Sequence, residues 1–182
     1  SLWAQPLLAW EDPREHGLSR SVLAARLRQG YGTALRAALG PGRGDGDLAV
    51  IADAGKALGA YVRTLMPGPA PFDRWVAGDA RAMSPEAVRG LALFLRVGCV
   101  RCHSGAMFSD GDFHAVRFPD APEVGADTGR TEGAPRARAH PLRGDGPYSD
   151  APAEAFPPPV ATDEDLGRFR TPTLRGVALT AP

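Results

Sequence analysis

The chain has 182 residues, 43% of them hydrophobic, which suits one domain or two small ones with a real core. Lysine plus arginine match aspartate plus glutamate at 21 each, so the formal net charge is zero and nothing argues for a nucleic-acid partner. The longest apolar stretches, such as DLAVIADAGKALGAYV, are broken by charge and too short to span a bilayer.

The elements follow in chain order. EDPREHGLSRSVLAARLRQG reads as a turn and then a helix, with Ser19 or Ser21 as cap and Val22, Leu23, Leu27 and Tyr31 at roughly helical spacing. YGTALRAALG reads as a short second helix stopped at Gly40. PGRGDGD is a loop. Asp47 is expected to cap a longer helix reaching about Met66, with Leu48, Ile51, Leu58, Val62 and Leu65 on one face, and MPGPAP ends it. SPEAVRGLALFLRVG carries the clearest helix start. Ser84 is the N-cap, Pro85 the first helical residue, and Glu86 lies in the first turn, where the helix dipole favours an acid. Val88, Leu91 and Leu95 form its expected buried stripe, and the helix delivers the chain directly to Cys99.

Beyond about Arg117 the pattern stops. Residues 117–165 hold few apolar side chains and many Pro, Gly, Asp and Arg, with neither a helical nor a strand period. Such a segment is either a disordered linker or an ordered loop wrapped around a large apolar body that is not protein. Glycine and proline together number 40 of 182. No segment reads as a strand, so the fold class is all-α with long irregular loops. The chain opens abruptly at SLWAQP, with no signal peptide, and stops abruptly at ALTAP, so it is expected to be a piece of a longer protein.

The stretch FLRVGCVRCHSGAMFSD holds both cysteines. A disulfide between Cys99 and Cys102 would close a very short loop and constrain little. A zinc site needs four ligands, and this chain offers one Cys pair and four scattered histidines. A thioredoxin-like redox pair belongs beside a βαβ pattern, which is absent. The fourth reading fits best: C-x-x-C-H is the attachment signature of c-type haem. Cys99 and Cys102 then add across the porphyrin vinyl groups as thioether anchors, and His103 is the proximal ligand of the haem iron. A haem supplies a large apolar surface, which explains how a loop-rich chain can be ordered. Attachment of this kind implies an exported, periplasmic protein.

SPEAVRGLALFLRVGCVRCHSGAMFSDGDFHAV, followed by DLGRFRTPTLRGVALTAP, resembles the second haem domain of the bacterial di-haem cytochrome c peroxidases, the family that includes the MauG-type enzymes. Upstream, EDPREHG resembles the family segment after its first haem, and ADAGKALGAYVRTLMPGPAPFDRWVAGD the helix and turn that lead to the second. The resemblance covers nearly the whole chain. It implies cytochrome c-like haem domains: residues 1–83 as the later part of the first, peroxidatic domain, and 84–182 as most of the second, electron-transfer domain, truncated at its C-terminus. One haem c attaches in this chain, and the other belongs upstream in the parent protein. The second haem's other axial ligand, methionine in the peroxidases or tyrosine in MauG, is expected beyond Pro182. Met107 is a poor substitute and packs on the proximal side.

The resemblance also implies roles. The family places a glutamine and, ten residues later, a glutamate over the peroxide-binding haem, and Gln5 and Glu15 have that spacing. A carboxylate in a partly dry pocket can shuttle the proton that peroxide must lose and regain, and an amide can orient the bound oxygen. The family holds calcium between its domains partly through backbone carbonyls of TAP, which Thr180 and Pro182 match, and calcium prefers oxygen ligands. Arg170, in FRTPTLR, is placed to pair with a haem propionate. Phe94, Leu95, Phe108 and Phe113 are expected to pack on the porphyrin. His114 is expected to hydrogen-bond in a turn, while His16 and His140 are expected at the surface. Trp3, Trp10 and Trp75 are expected to pack as aromatics.

The implied activity is reduction of hydrogen peroxide to water, with electrons from a small c-type cytochrome or copper protein entering through the haem at Cys99, Cys102 and His103. The resemblance also suggests a homodimer. Two other activities stay open: MauG-like oxidation of residues on a partner protein, and electron transfer without catalysis.

Overall fold

The computed structural model describes residues 2–41, 44, 46–66, 68–116, 127–155 and 159–180. It is mainly helical and divides into two compact units. Unit 1 comprises residues 1–65 and 133–161, and unit 2 residues 66–132 and 162–182.

Unit 1 is built on α1 (Gln5–Glu11), α2 (Arg20–Leu39) and α3 (Asp47–Thr64). Ser19 caps α2, its hydroxyl accepting from the Val22 N–H at 3.4 Å, and Gly40 ends it at φ 86°. The expected break near Tyr31 does not occur, and α2 is one continuous helix of 20 residues. Gly30 and Gly32 each cost only about 1 kcal/mol in a helix, and packing on α3 outweighs that. Gly46 rather than Asp47 is the N-cap of α3. Asp47 lies in the first turn and pairs with Arg28 at 2.8 Å.

The core of unit 1 gathers Leu7, Leu23, Ala24, Ile51, Ala52 and Leu142, with Trp3 and Trp10 packed against it. Fully burying a side chain such as Leu7 or Ile51 stabilises by roughly 1.5–3 kcal/mol. The buried face of α3 differs from the expected one. Ile51 is buried, but Leu58, Val62 and Leu65 are 40–58% exposed, and small residues including Gly55 and Gly59 are buried instead. The cause is the backbone of Trp3. A Cβ on Gly55 would lie 2.2 Å from the Trp3 carbonyl oxygen, and one on Gly59 would lie 3.2 Å from its nitrogen. Two glycines four apart let the N-terminal segment lie directly on the helix.

The loop-rich stretch after Arg117 is more structured than its composition suggests. Residues 117–126 and 156–158 lie outside the described ones, but α6 (Arg130–Ala139) is a helix with Pro135 inside it. Its buried Ala134, followed by the buried Leu142, contributes to unit 1.

Unit 2 contains α4 (Pro71–Val76), α5 (Pro85–Val97) and two strands of three residues each, β1 (Phe113–Ala115) and β2 (Arg168–Arg170). The strands were not expected. They pair antiparallel, Phe113 opposite Arg170 and Ala115 opposite Arg168, and are too short to leave a period in the sequence. The start of α5 matches its expected chemistry: the Ser84 hydroxyl accepts from Ala87 N–H at 3.2 Å, and Pro85 and Glu86 occupy the first turn. Gly98, left-handed at φ 92°, ends the helix. The expected burial of its stripe does not hold. Val88 and Leu91 are partly buried and Leu95 is 52% exposed. Among the described residues of unit 2, the buried side chains are Asp165 and Thr171, both polar.

Candidate haem site

The site begins where α5 stops. Gly98 turns the chain into a single 3-10 turn, Cys99–Arg101. The Cys99 carbonyl accepts from the N–H groups of Cys102 at 3.3 Å and His103 at 3.0 Å, so the three motif residues wrap one carbonyl. Both cysteines are free thiols, Cys99 exposed and Cys102 half-buried.

The half-buried His103 has a defined orientation. Its Nδ1 lies 3.0 Å from the Phe108 carbonyl oxygen. A carbonyl only accepts, so Nδ1 carries a proton, and in the neutral ring the lone pair is then on Nε2. A metal-binding imidazole needs this tautomer, fixed by a backbone carbonyl behind it.

Phe108 sits at φ 50°, in the left-handed region that disfavours a large side chain. Its N–H donates to Gly105 at 3.0 Å. Its ring meets Phe72 edge-on at 5.0 Å and Phe94 at 6.5 Å between centroids. Gly90, Leu91, Phe94, Phe108 and Leu174 line a cleft of about 250 Å³ whose surface is mostly apolar. A Cβ on Gly90 would meet nothing within 4 Å. The cleft is walled by the helix that ends at the cysteines and by the residue whose carbonyl orients His103.

The extended segment after β2 stitches the other side of this loop. Thr171, Thr173 and Arg175 each bond to the 106–112 loop, Arg175 from the turn that follows Leu174, where its N–H donates to the Thr173 hydroxyl at 3.1 Å. Thr171 N–H donates to Asp112 at 2.9 Å, and its carbonyl accepts from the Ser109 hydroxyl at 2.8 Å. The Thr173 hydroxyl donates to the Met107 carbonyl at 2.5 Å, and Arg175 Nε to Ala106 at 2.8 Å. The Arg175 guanidinium forks onto Asp73 of α4 at 2.6 and 2.7 Å and lies 5.1 Å from the Phe108 ring centroid. Hydrogen bonds from Arg175, and then from the Ala70 N–H, hold the Asp73 carboxyl below its ordinary value.

Two free thiols, a histidine whose Nδ1 is held by a backbone carbonyl, and an apolar cleft walled by the helix that leads to Cys99 fit a covalently held haem. Unit 2 also encloses no buried hydrophobic side chain among its described residues, as suits a domain whose apolar centre is a prosthetic group.

The di-haem cytochrome c peroxidase family profile matches residues 1–81. Over its whole length the chain is 34% identical to the cytochrome-c peroxidase IdrP1 of Denitromonas iodatirespirans, covering 49% of that protein. It is 36% identical, again over its whole length, to the methylamine utilization protein MauG of Methylorubrum extorquens, covering 43%. Over 69% of its length it is 30% identical to the cytochrome c551 peroxidase of Pseudomonas aeruginosa, covering 30%. The chain is thus similar to the di-haem cytochrome c peroxidase and MauG family, to its profile over residues 1–81 and to individual members over its whole length. It spans about half the length of the curated relatives it matches over its whole length.

For a di-haem peroxidase relative, the remaining expected site residues fall as follows. Phe94 and Phe108 meet at the cleft. Leu95 is on the exposed side of α5, and Phe113, on β1, lies under the Arg130 guanidinium at 4.6 Å. Arg170 is exposed, its Nε donating to the Gly111 carbonyl at 3.2 Å. Gln5 opens α1 and Glu15 lies in the turn after it, both exposed. A cavity of about 820 Å³ in unit 1 is lined by Leu8, Glu11 to Arg14 and the 133–140 segment, with Gln5 and Glu15 outside that lining. His140 lines it half-buried, not at the surface as expected, and burial pushes its pKa down. His114 does hydrogen-bond, to Asp110 at 2.7 Å, but from a strand. With Cys102 these two form a cluster of possible ligand atoms within 4.8 Å, and thioether formation at Cys102 would leave the Asp110–His114 pair. Pro182 lies outside the described residues, and the Thr180 hydroxyl donates to Val177 at 2.9 Å.

Arg175, Asp73 and Phe72 went unassigned in the sequence. The second arginine of FRTPTLR and the PFD triplet were the available signals.

Proposed function

We propose that this chain carries a c-type haem on Cys99 and Cys102 with His103 as axial ligand. We read it as the electron-entry centre of a di-haem cytochrome c peroxidase-like protein, with cytochrome c-like haem domains. The observation that carries this is the His103 Nδ1–H donated to the Phe108 carbonyl, beside two free thiols and an apolar cleft. When bound, haem c supplies a one-electron iron couple. The cysteines would anchor it, His103 Nε2 would ligate the iron, and Phe94, Phe108 and Leu91 would exclude water from one side. Arg170, exposed near the loop, is the proposed propionate partner.

The parent protein then reduces hydrogen peroxide, which takes two electrons and two protons to form two waters. Electrons come from a small c-type cytochrome or copper protein. Glu15 is the proposed proton shuttle and Gln5 the proposed orienting amide over the peroxidatic haem. The protein is exported to the periplasm, where c-type haem is attached. Among the described residues, no helix is long and apolar enough to cross a membrane. Calcium at the Thr180–Pro182 segment, a homodimer, and the division into haem domains at residues 83 and 84 belong to the same reading.

The full-length likeness to MauG supports a second reading, oxidation of residues on a partner protein. Steady-state peroxide reduction by the full-length gene product, supplied with a reduced c-type cytochrome, separates the two. We expect rapid turnover that falls about a hundredfold or more in Glu15→Gln, the span of a lost acid–base group. No turnover with the cytochrome, but oxidation of a protein partner by peroxide, would replace the peroxidase reading with the MauG-like one.

A further inference from the structure

We propose that Asp73 and Arg175 are positioning residues for the axial histidine, holding the loop that carries the Phe108 carbonyl and so setting the reduction potential of the haem that His103 ligates. The proposal rests on the haem reading above.

The chain of contacts is continuous. His103 Nδ1–H donates to the Phe108 carbonyl at 3.0 Å. Phe108 holds a left-handed backbone at φ 50°, which a phenylalanine keeps only when its surroundings enforce it. Arg175 supplies two of those restraints. Its Nε donates to the Ala106 carbonyl at 2.8 Å, two residues before Phe108, and its guanidinium lies 5.1 Å from the Phe108 ring centroid. The guanidinium is itself fixed, because both terminal nitrogens fork onto Asp73 at 2.6 and 2.7 Å. Asp73 is in turn anchored by the Ala70 N–H at 2.7 Å, and its neighbour Phe72 meets the Phe108 ring. The Arg175 side chain is 16% exposed and that of Asp73 31%, so the fork is partly shielded from competing water.

The consequence is electronic. A carbonyl held on Nδ1–H makes the imidazole a stronger donor to its metal and favours the oxidised iron. Loosening the loop weakens that bond and raises the potential. A surface ion pair with a purely structural role would move stability and leave the potential alone.

The test uses haem-loaded protein and the charge-conserving variant Arg175→Lys. Lysine keeps the positive charge but cannot reproduce the planar fork or the stack on Phe108. Two quantities are measured: the haem midpoint potential, and solvent exchange of the His103 Nδ1 proton by NMR. We expect a shift to more positive potential and at least tenfold faster exchange. Asp73→Glu keeps both charges while changing the fork's reach, and stands in if Arg175→Lys fails to mature; the same two changes are expected. Arg89→Lys, in an exposed pair on α5, serves as control and should change neither. Unchanged potential and exchange in a folded clamp variant, even with a lowered melting temperature, would overturn the proposal. Wild-type protein that retains no covalent haem would defeat the underlying haem reading, and the proposal with it.

Discussion

At the scale of single residues, a few atoms decide the site. His103 is useful because of what lies behind it: a carbonyl that accepts a hydrogen bond from Nδ1–H, so that Nε2 is the nitrogen available to a metal. Asp73 matters because two arginine nitrogens hold it ionised. Its folded carboxyl lies below the ordinary value of 3.8, so it favours the folded state above that pH. This contribution is lost as pH falls through the lower, folded value. Acid unfolding followed by circular dichroism should therefore show a flatter limb below about pH 4 in Asp73→Asn than in wild type. Identical limbs would mean that the pair does not form in solution. The motif Cys99–Cys102–His103 was legible because its chemistry is local. The clamp was not, because Asp73 and Arg175 are 102 residues apart and neither residue type signals a partner at that distance.

At the scale of elements, local chemistry was again the readable part. Ser84, Pro85 and Glu86 start α5 as their types dictate, and Gly40 and Gly98 stop helices in conformations that suit glycine. Burial was harder to read. The hydrophobic pattern of α3 pointed to Leu58, Val62 and Leu65, yet the face that packs carries Gly55 and Gly59. A backbone lying on a helix leaves no apolar stripe, and two glycines four apart were its only trace. Gly55→Ala tests this contact. Alanine is the better helix former by about 1 kcal/mol, but its Cβ would press on the Trp3 carbonyl. We expect net destabilisation of about 1–3 kcal/mol, as for other overpacked sites, measured by urea unfolding. A stabilised variant would show that Trp3 does not lie on α3. The strands β1 and β2 escaped notice because three residues cannot show a period, and α6 because its sequence, with Pro135 inside, lacks an apolar stripe.

At the scale of the molecule, the two units differ in what holds them together. Unit 1 has an apolar core of Leu7, Leu23, Ile51 and Leu142. Unit 2, among its described residues, buries only polar side chains and carries a mostly apolar cleft lined by Gly90, Leu91, Phe94, Phe108 and Leu174. The family resemblance and this asymmetry both support the proposal that unit 2 is organised around a haem held by its cysteines. The most direct measurement is covalent haem retention, after expression with c-type haem maturation and extraction in acid acetone. Wild-type protein should keep its haem through extraction, and Cys99→Ser/Cys102→Ser should lose it. A wild-type protein that gives up its haem, or never acquires any, would contradict haem attachment at Cys99 and Cys102.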